Sequence, residues 1–305
     1  MRKVKHIKIE KGMKVDELVR GMKDIGVMGS GRLGKAADIL EKMVKDKECK
    51  VFLGQAGALV PGGMRNILSD LIRKKLIDVF VTTGATLTHD LAEALGFKHE
   101  IGDEEADDSK LNKEGKDRMW NSYMDNKVYG KMEDFFEENW EDFSKAESVM
   151  ELIRMIGSKL DDEDSILFQA YKNKIPIFCP ALDNSGIGLM IYGRKMKGME
   201  IKLDVFNDLK EIMEIAWTCK KAGVFYLGGG EPKNYIQQAM QFSPTSASYG
   251  VQVTMDRAEF GGSSGASLKE GISWGKMDEK GEFVDVYLDA TVALPILYAS
   301  LIERI

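Results

Sequence analysis

A chain of 305 residues, 44% of them hydrophobic, is long enough to bury a full core as one large domain or two small ones. Its net charge of -6 disfavours a nucleic-acid partner, which needs a basic face, and suits a cationic small substrate. No apolar run approaches the roughly 18 residues of a membrane span. The charged start Met1-Arg2-Lys3-Val4-Lys5-His6 lacks the apolar stretch of a secretory signal, so a cytoplasmic protein with no membrane partner is expected.

Residues 1–45 read as mainly helical, an N-terminal arm to a single α/β domain over residues 46–305. The glycine-rich run from Gly26 to Gly34 has no strand before it, so it reads as a turn ahead of a helix and not as a dinucleotide loop. Val51-Phe52-Leu53 is a buried strand, followed by the small-residue loop Gly54-Gln55-Ala56-Gly57-Ala58. Residues 64–74 form a helix with Ile67, Leu68, Leu71 and Ile72 on one face. A strand at 78–83 and a helix at 87–95 follow. Residues 100–133 are polar and weakly periodic, an inserted excursion with short elements. Residues 135–159 read as two helices broken near Ser144. Further strands at 175–178, 224–227, 251–254 and 284–288 each precede a loop and a helical pattern. Such alternation gives a mostly parallel central sheet with helices on both faces.

Three cysteines, Cys49, Cys179 and Cys219, lie far apart with no CxxC pair, and His6, His89 and His99 lack metal-ligand spacing. Buried thiols and no metal centre are expected. Ligands of parallel sheets bind at the carboxyl ends of the strands. The loops there are rich in small residues: residues 54–58, Thr82-Thr83-Gly84-Ala85-Thr86, Gly228-Gly229-Gly230 and Asp289-Ala290-Thr291. Small residues let backbone amides approach a ligand closely. The triple glycine fits either a dinucleotide contact or a tight strand-to-helix turn.

The segment from Glu259 to Ala290 carries the most chemistry. It contains Gly261-Gly262-Ser263-Ser264-Gly265-Ala266, Glu270 and Ser273-Trp274-Gly275-Lys276. A lysine held against a tryptophan wall can be partly dehydrated, which favours the neutral amine that condenses with an aldehyde or iminium. On spacing alone, a lysine after glycine is ordinarily a solvated surface residue.

These residues, with Tyr287-Leu288-Asp289-Ala290, Leu227-Gly228-Gly229-Gly230, Cys179-Pro180-Ala181-Leu182 and Val51-Phe52-Leu53-Gly54, resemble the deoxyhypusine synthase family over nearly the whole chain. The resemblance implies a Rossmann-like α/β domain and a homotetramer built as a dimer of dimers. It implies oxidation of spermidine with NAD, release of 1,3-diaminopropane, and a four-carbon unit held as an imine on Lys276. That unit would pass to a lysine of a translation factor precursor, the future hypusine. By position, Trp274 would line the polyamine channel and Glu270 would pair with a substrate amine. Thr83, Gly84, Ala85, Gly57, Asn184, Gly229, Gly230, Asp256, Asp289 and Ala290 would contact NAD. Taken alone, Trp274 also fits a core residue, Glu270 a helix-surface charge and Asp289 a helix N-cap.

The chain departs from the family pattern in its amine shell. Asn234 stands where the family has a histidine, Leu189 where it has an aspartate, and Thr88 and His89 where it has paired glutamates. Losing a carboxylate partner for a buried ammonium requires compensation. Asn234, His89 and Asp183 are accordingly candidate substrate-binding residues. A homospermidine synthase using putrescine as acceptor, or a catalytically silent paralogue that binds NAD or polyamine, are the alternatives.

Overall fold

Helix α1 (Val15–Ile25) ends at Gly26, whose left-handed backbone (φ 76°) turns the chain into helix α2 (Met28–Lys45). A Cβ at Gly34 would lie 2.4 Å from the backbone nitrogen of Lys23, so α2 can approach α1 this closely only with glycine there. The glycine-rich run is therefore a helix–helix contact rather than a ligand loop. The computed structural model describes residues 3–305, so Met1 and Arg2 of the expected arm lie outside the described residues.

The chain forms two compact units that interleave in sequence. The first comprises the chain up to Ala56, Leu76–Val81 and Lys210–Ile305; the second comprises Gly57–Lys75 and Thr82–Leu209. In chain order, β1 (Cys49–Gln55) is followed by α3 (Arg65–Arg73) and β2 (Val79–Thr82). The long middle stretch then gives α4 (Gly84–Ala94), β3 (Glu100–Ile101), α5 (Asp108–Glu114), β4 (Lys116–Met119) and β5 (Ser122–Asp125). It continues as α6 (Val128–Phe143), α7 (Val149–Ser158), α8 (Ile166–Asn173), β6 (Ile177–Phe178) and α9 (Gly186–Met196). The chain ends with α10 (Val205–Thr218), β7 (Lys221–Leu227), α11 (Gly230–Phe242), β8 (Ala247–Thr254), β9 (Met277–Tyr287) and α12 (Ala290–Arg304).

In the first unit the strands lie in the order β2-β1-β7-β8-β9. β1 pairs in parallel with β7, β7 with β8, and β8 with β9. Val51, Phe52 and Leu53 of β1 and Val224 to Leu227 of β7 are all buried, the near-continuous apolar run that a covered parallel sheet demands. Helices α2, α11 and α12 pack on this sheet. The expected α/β class with a parallel central sheet thus holds. β9 begins well before the expected residue 284, because the charged stretch Asp278-Glu279-Lys280 masks a strand whose first turn of pairing is irregular.

In the second unit, the polar excursion is a small antiparallel sheet, β3-β5-β4. Asp90, fully buried in α4, accepts hydrogen bonds from Arg65 Nε (2.7 Å), Ser165 Oγ (2.8 Å), Ile166 N (3.0 Å) and Leu167 N (2.9 Å). One carboxylate thereby joins α3, α4 and the head of α8. Cys49, Cys179 and Cys219 are buried and form no disulfide among the described residues. Among the described residues no helix is long and apolar enough to cross a membrane.

Arg304 ties both ends of the first unit together. Its buried guanidinium donates to Asp16 of α1 and to Asp38 (2.9 Å) and Glu41 (3.1 Å) of α2. Ser300 adds a 2.8 Å bond to Asp16. Removing one partner of a buried ion network leaves uncompensated charge, so Arg304→Ala is expected to cost about 3–5 kcal/mol. The exposed pair Lys42–Glu282 should cost under about 1 kcal/mol on Lys42→Ala. Urea unfolding of the two variants checks this; equal midpoints would contradict it.

Candidate functional site

Lys276 is placed by backbone geometry. A run of 3-10 turns, Leu268–Trp274, starts at Ser267, whose hydroxyl accepts from Glu270 N. It ends at Gly275, left-handed at φ 69°, a conformation that favours glycine. Lys276 N then bonds Gly271 O (2.9 Å), and Lys276 O accepts from Ala247 N (3.0 Å) at the start of β8. The side chain is half-buried, with Nζ 4.8 Å from the centre of the Trp274 ring. Among the described residues this ammonium makes no hydrogen bond or ion pair. Trp274 is 57% exposed, and the exposed Glu270 carboxylate is also without a partner among the described residues. The arrangement is a primary amine on a rigid turn, held only by an aromatic face.

The residue that sequence reasoning missed is Lys233, in the first turn of α11. It is 1% exposed, and its Nζ donates to Ser263 O and Ala266 O, both at 2.6 Å. Gln252 Nε2 shares Ala266 O at 3.2 Å. Ser263 Oγ donates to Gly230 O (2.9 Å), and Ser264 Oγ donates to Asp256. A Cβ at Gly229 would sit 2.3 Å from Ser264 Cα, so the middle glycine exists to let this loop close on the helix head. The segment 256–266 is thereby clasped to the start of α11. The available signal was spacing: Lys233, Ile236, Gln237 and Met240 share the buried face of an amphipathic helix. Burial pushes the Lys233 ammonium down to about 8; Asp285 and Glu270 pull it up, and Lys276 pushes it down further.

The other expected residues fall into separate places. In the first unit, Gly229, Gly230 and Asp256 belong to the clasped turn, and Asn234 is half-buried beside Lys233. Asp289 caps α12 by accepting from Thr291 N (2.8 Å), with Ala290 as the first helical residue. Gly228 N bonds Val253 O, whereas Lys276 O meets Ala247. The lysine backbone and the triple-glycine turn therefore lie toward opposite ends of β8, about 20 Å apart along the strand.

In the second unit, Thr83 caps α4 by accepting from Thr86 N (3.4 Å), followed by Gly84 and the exposed Ala85. Ser185 caps α9, accepting from Gly188 N (3.1 Å). The two helix heads touch: a Cβ at Gly84 would lie 2.5 Å from Ser185 Cβ, and Thr88 Oγ1 accepts from Ile187 N (3.2 Å). Asp183 and Asn184, both exposed, lead into the α9 head. Asp183 lines a cavity of about 410 Å³ with Leu182, Tyr192 and Lys195. Gly57 is exposed and left-handed at φ 90°. His89 faces His99, which lies beyond the end of α4. A larger cavity of about 700 Å³, lined by Ile153, Arg154, Tyr171 and Lys174, holds none of the expected residues.

Known proteins resemble the chain over nearly its whole length. The family model for deoxyhypusine synthase matches residues 17–301. The probable deoxyhypusine synthase 1 of Methanosarcina acetivorans is 43% identical over 303 residues, covering 99% of this chain and 95% of that one. The probable deoxyhypusine synthase of Methanothermobacter thermautotrophicus is 39% identical over 311 residues, covering 99% and 98%. A solved "putative deoxyhypusine synthase" from Entamoeba histolytica superposes with a TM-score of 0.64 at 22% identity, covering 97% and 96%, a likeness of fold.

The Lys233 clasp has a pH signature. Below about pH 8 folded and unfolded chains both hold the proton; between about 8 and the ordinary lysine value of 10.5 only the unfolded chain does. Stability from this group therefore rises with pH across that window, by about 1–3 kcal/mol. Lys233→Met is expected to lack that rise in denaturant titrations at stepped pH. Parallel pH profiles for the two proteins would refute the assignment.

Proposed function

The chain belongs to the deoxyhypusine synthase family, and from that premise we propose that it moves the 4-aminobutyl group of spermidine to an acceptor amine through an imine on Lys276. The acceptor in this reading is the lysine of a hypusine-bearing translation factor precursor, and the enzyme works as a cytoplasmic homotetramer. The observation that carries the reading is the Lys276 amine, fixed on its turn, free of any carboxylate partner among the described residues, and set against Trp274.

The cofactor in this reading is NAD, and two features fit it. The head of α11 has no side-chain cap, and nothing lies within 4 Å of where a Cβ would stand on Gly230, so backbone donors there are open to a close anionic ligand. The touching heads of α4 and α9 add a second set of helix N-termini. Of the residues assigned to NAD contacts, Gly229, Gly230, Asp256, Asp289 and Ala290 lie in the first unit, and Thr83, Gly84, Ala85, Gly57 and Asn184 in the second. When bound, NAD supplies the oxidant for the donor amine and returns the electrons at the end.

The chain's own residues do the rest. The Nζ of Lys276, once it has given up a proton, attacks the oxidised donor carbon, 1,3-diaminopropane leaves with the displaced nitrogen, and the four-carbon unit stays on Nζ as an imine. The acceptor amine then displaces Lys276. Trp274 offers its π face to an ammonium, and Glu270 supplies a carboxylate for another. Asn234 in the first unit, and His89 and Asp183 in the second, are the further residues assigned to polar contacts with an amine.

Borohydride trapping with spermidine and NAD, followed by mass mapping, is expected to mark Lys276. Lys276→Ala should lose transfer while still binding NAD. With radiolabelled spermidine, a labelled protein band supports the protein acceptor, and labelled homospermidine would replace it with putrescine. Absence of any labelled product from the wild-type chain would overturn the transferase reading.

A further inference from the structure

Helix α4 carries two members of a hydrogen-bonded chain of three titratable side chains. His99 Nδ1 lies 2.8 Å from Glu93 Oε1, and His99 Nε2 lies 3.0 Å from His89 Nδ1. His89 and Glu93 are four residues apart, so they stand one above the other on the same face of α4. His99 reaches both from the segment after the helix, and the two rings meet edge to face with centroids 5.0 Å apart. Burial works against a charged Glu93, but hydrogen bonds from His99 and Lys98 and the charges of Lys98 and Arg65 outweigh it and hold the carboxyl down to about 2. Glu93 is therefore a carboxylate.

The chain fixes where the protons sit. A carboxylate only accepts, so His99 Nδ1 carries a hydrogen. With no proton on its Nε2, His99 presents that nitrogen as an acceptor, and His89 then places its own hydrogen on Nδ1. That leaves His89 Nε2 as a bare lone pair, with no partner among the described residues. His89 is half-buried and lies one helical turn from the exposed Ala85, whereas Thr86, Leu87, Thr88 and Asp90 are buried. Burial keeps His89 neutral, lowering it to about 4; any positive charge on His99 pushes the same way and Glu93 opposes it.

We propose that Glu93, His99 and His89 form a proton relay whose end, His89 Nε2, takes a proton from the ammonium of an amine substrate bound beside the first turn of α4. The proposal rests on the amine-transfer reading above. An ammonium nitrogen has no lone pair, so its carbon cannot be oxidised until a proton leaves. In the step, one N–H bond of the ammonium breaks and an Nε2–H bond forms on His89. The hydrogen on His89 Nδ1 passes to His99 Nε2. The substrate is left a free amine, His89 a neutral ring of the opposite tautomer, and the positive charge rests on His99 against the Glu93 carboxylate. No electrons are exchanged. His89 is the catalytic residue, and His99 and Glu93 position it and receive the charge.

The full chain has three histidines, and His6 is exposed, so ¹⁵N-labelled histidine gives an assignable spectrum. Long-range ¹⁵N–¹H NMR near neutral pH is expected to show His89 and His99 both protonated at Nδ1. Glu93→Gln should release this order, since an amide can present either a donor or an acceptor to His99. In the borohydride assay, His89→Ala should trap Lys276 about 10²–10⁴-fold more slowly and recover with added imidazole. His89→Gln, which keeps a bond to His99, should stay slow and fold normally. A spectrum with His89 protonated at Nε2, or trapping by both His89 variants at the wild-type rate, would sink the relay alone. A wild-type chain that traps nothing sinks the transfer reading, and with it the ammonium as the proton's source.

Discussion

The site in the first unit depends on a buried ammonium that has carbonyls where a carboxylate would be expected. Lys233 spends its charge on Ser263 O and Ala266 O, and Gln252 reinforces the second of these. With both carbonyls engaged, Lys233 is satisfied within the loop itself. It converts a glycine- and serine-rich segment, which would otherwise be mobile, into a fixed wall. The 3-10 turns that follow inherit that fixity through Leu268 N, which bonds the buried Asp285 carboxylate at 3.0 Å. Lys276 stands at the far end of this series of contacts, so its freedom from partners does not come from a loose backbone.

The two lysines therefore have opposite surroundings. Lys233 is enclosed and doubly hydrogen-bonded; Lys276 is half-open and touches only an aromatic ring. Lys233 lies within the field of Asp285, Glu270 and Lys276. A lysine with the covalent role proposed for Lys276 is better placed outside an ion pair, because each cycle would have to break one. A lysine that must hold a loop has no such restriction. The second unit shows the same separation of duties: Asp90 binds α3, α4 and α8 together, while one residue earlier His89 keeps a ring nitrogen free.

Much of this was legible in the chain itself. Strands such as β1 and β7 stood out because a parallel sheet covered by helices needs unbroken apolar runs, and the break at Ser144 marked the boundary of α6. The lysine box was legible as a motif. What escaped had physical reasons. The early part of β9 is charged, so no alternation pointed to a strand. Lys233 gave no signal of its own, since lysines are rarely buried, and only the tertiary loop makes its burial tolerable. His89 and His99 are ten residues apart, a spacing with no local meaning until the helix end turns back. Asp289 fitted two readings, and its bond to Thr291 N shows a helix cap.

Strand pairing also sets an order of assembly. Cys49 lies opposite Lys221, a closure of 172 residues, so the central sheet of the first unit cannot zip until nearly all of the intervening chain exists. Loop entropy makes such distant pairings slow to nucleate. The second unit, drawn largely from one continuous stretch, Thr82–Leu209, faces no such delay. During synthesis it can collapse first and wait for the later strands, while the edge of β1 that pairs with β7 stays open. The interval between those two events is when this chain has most need of a chaperone.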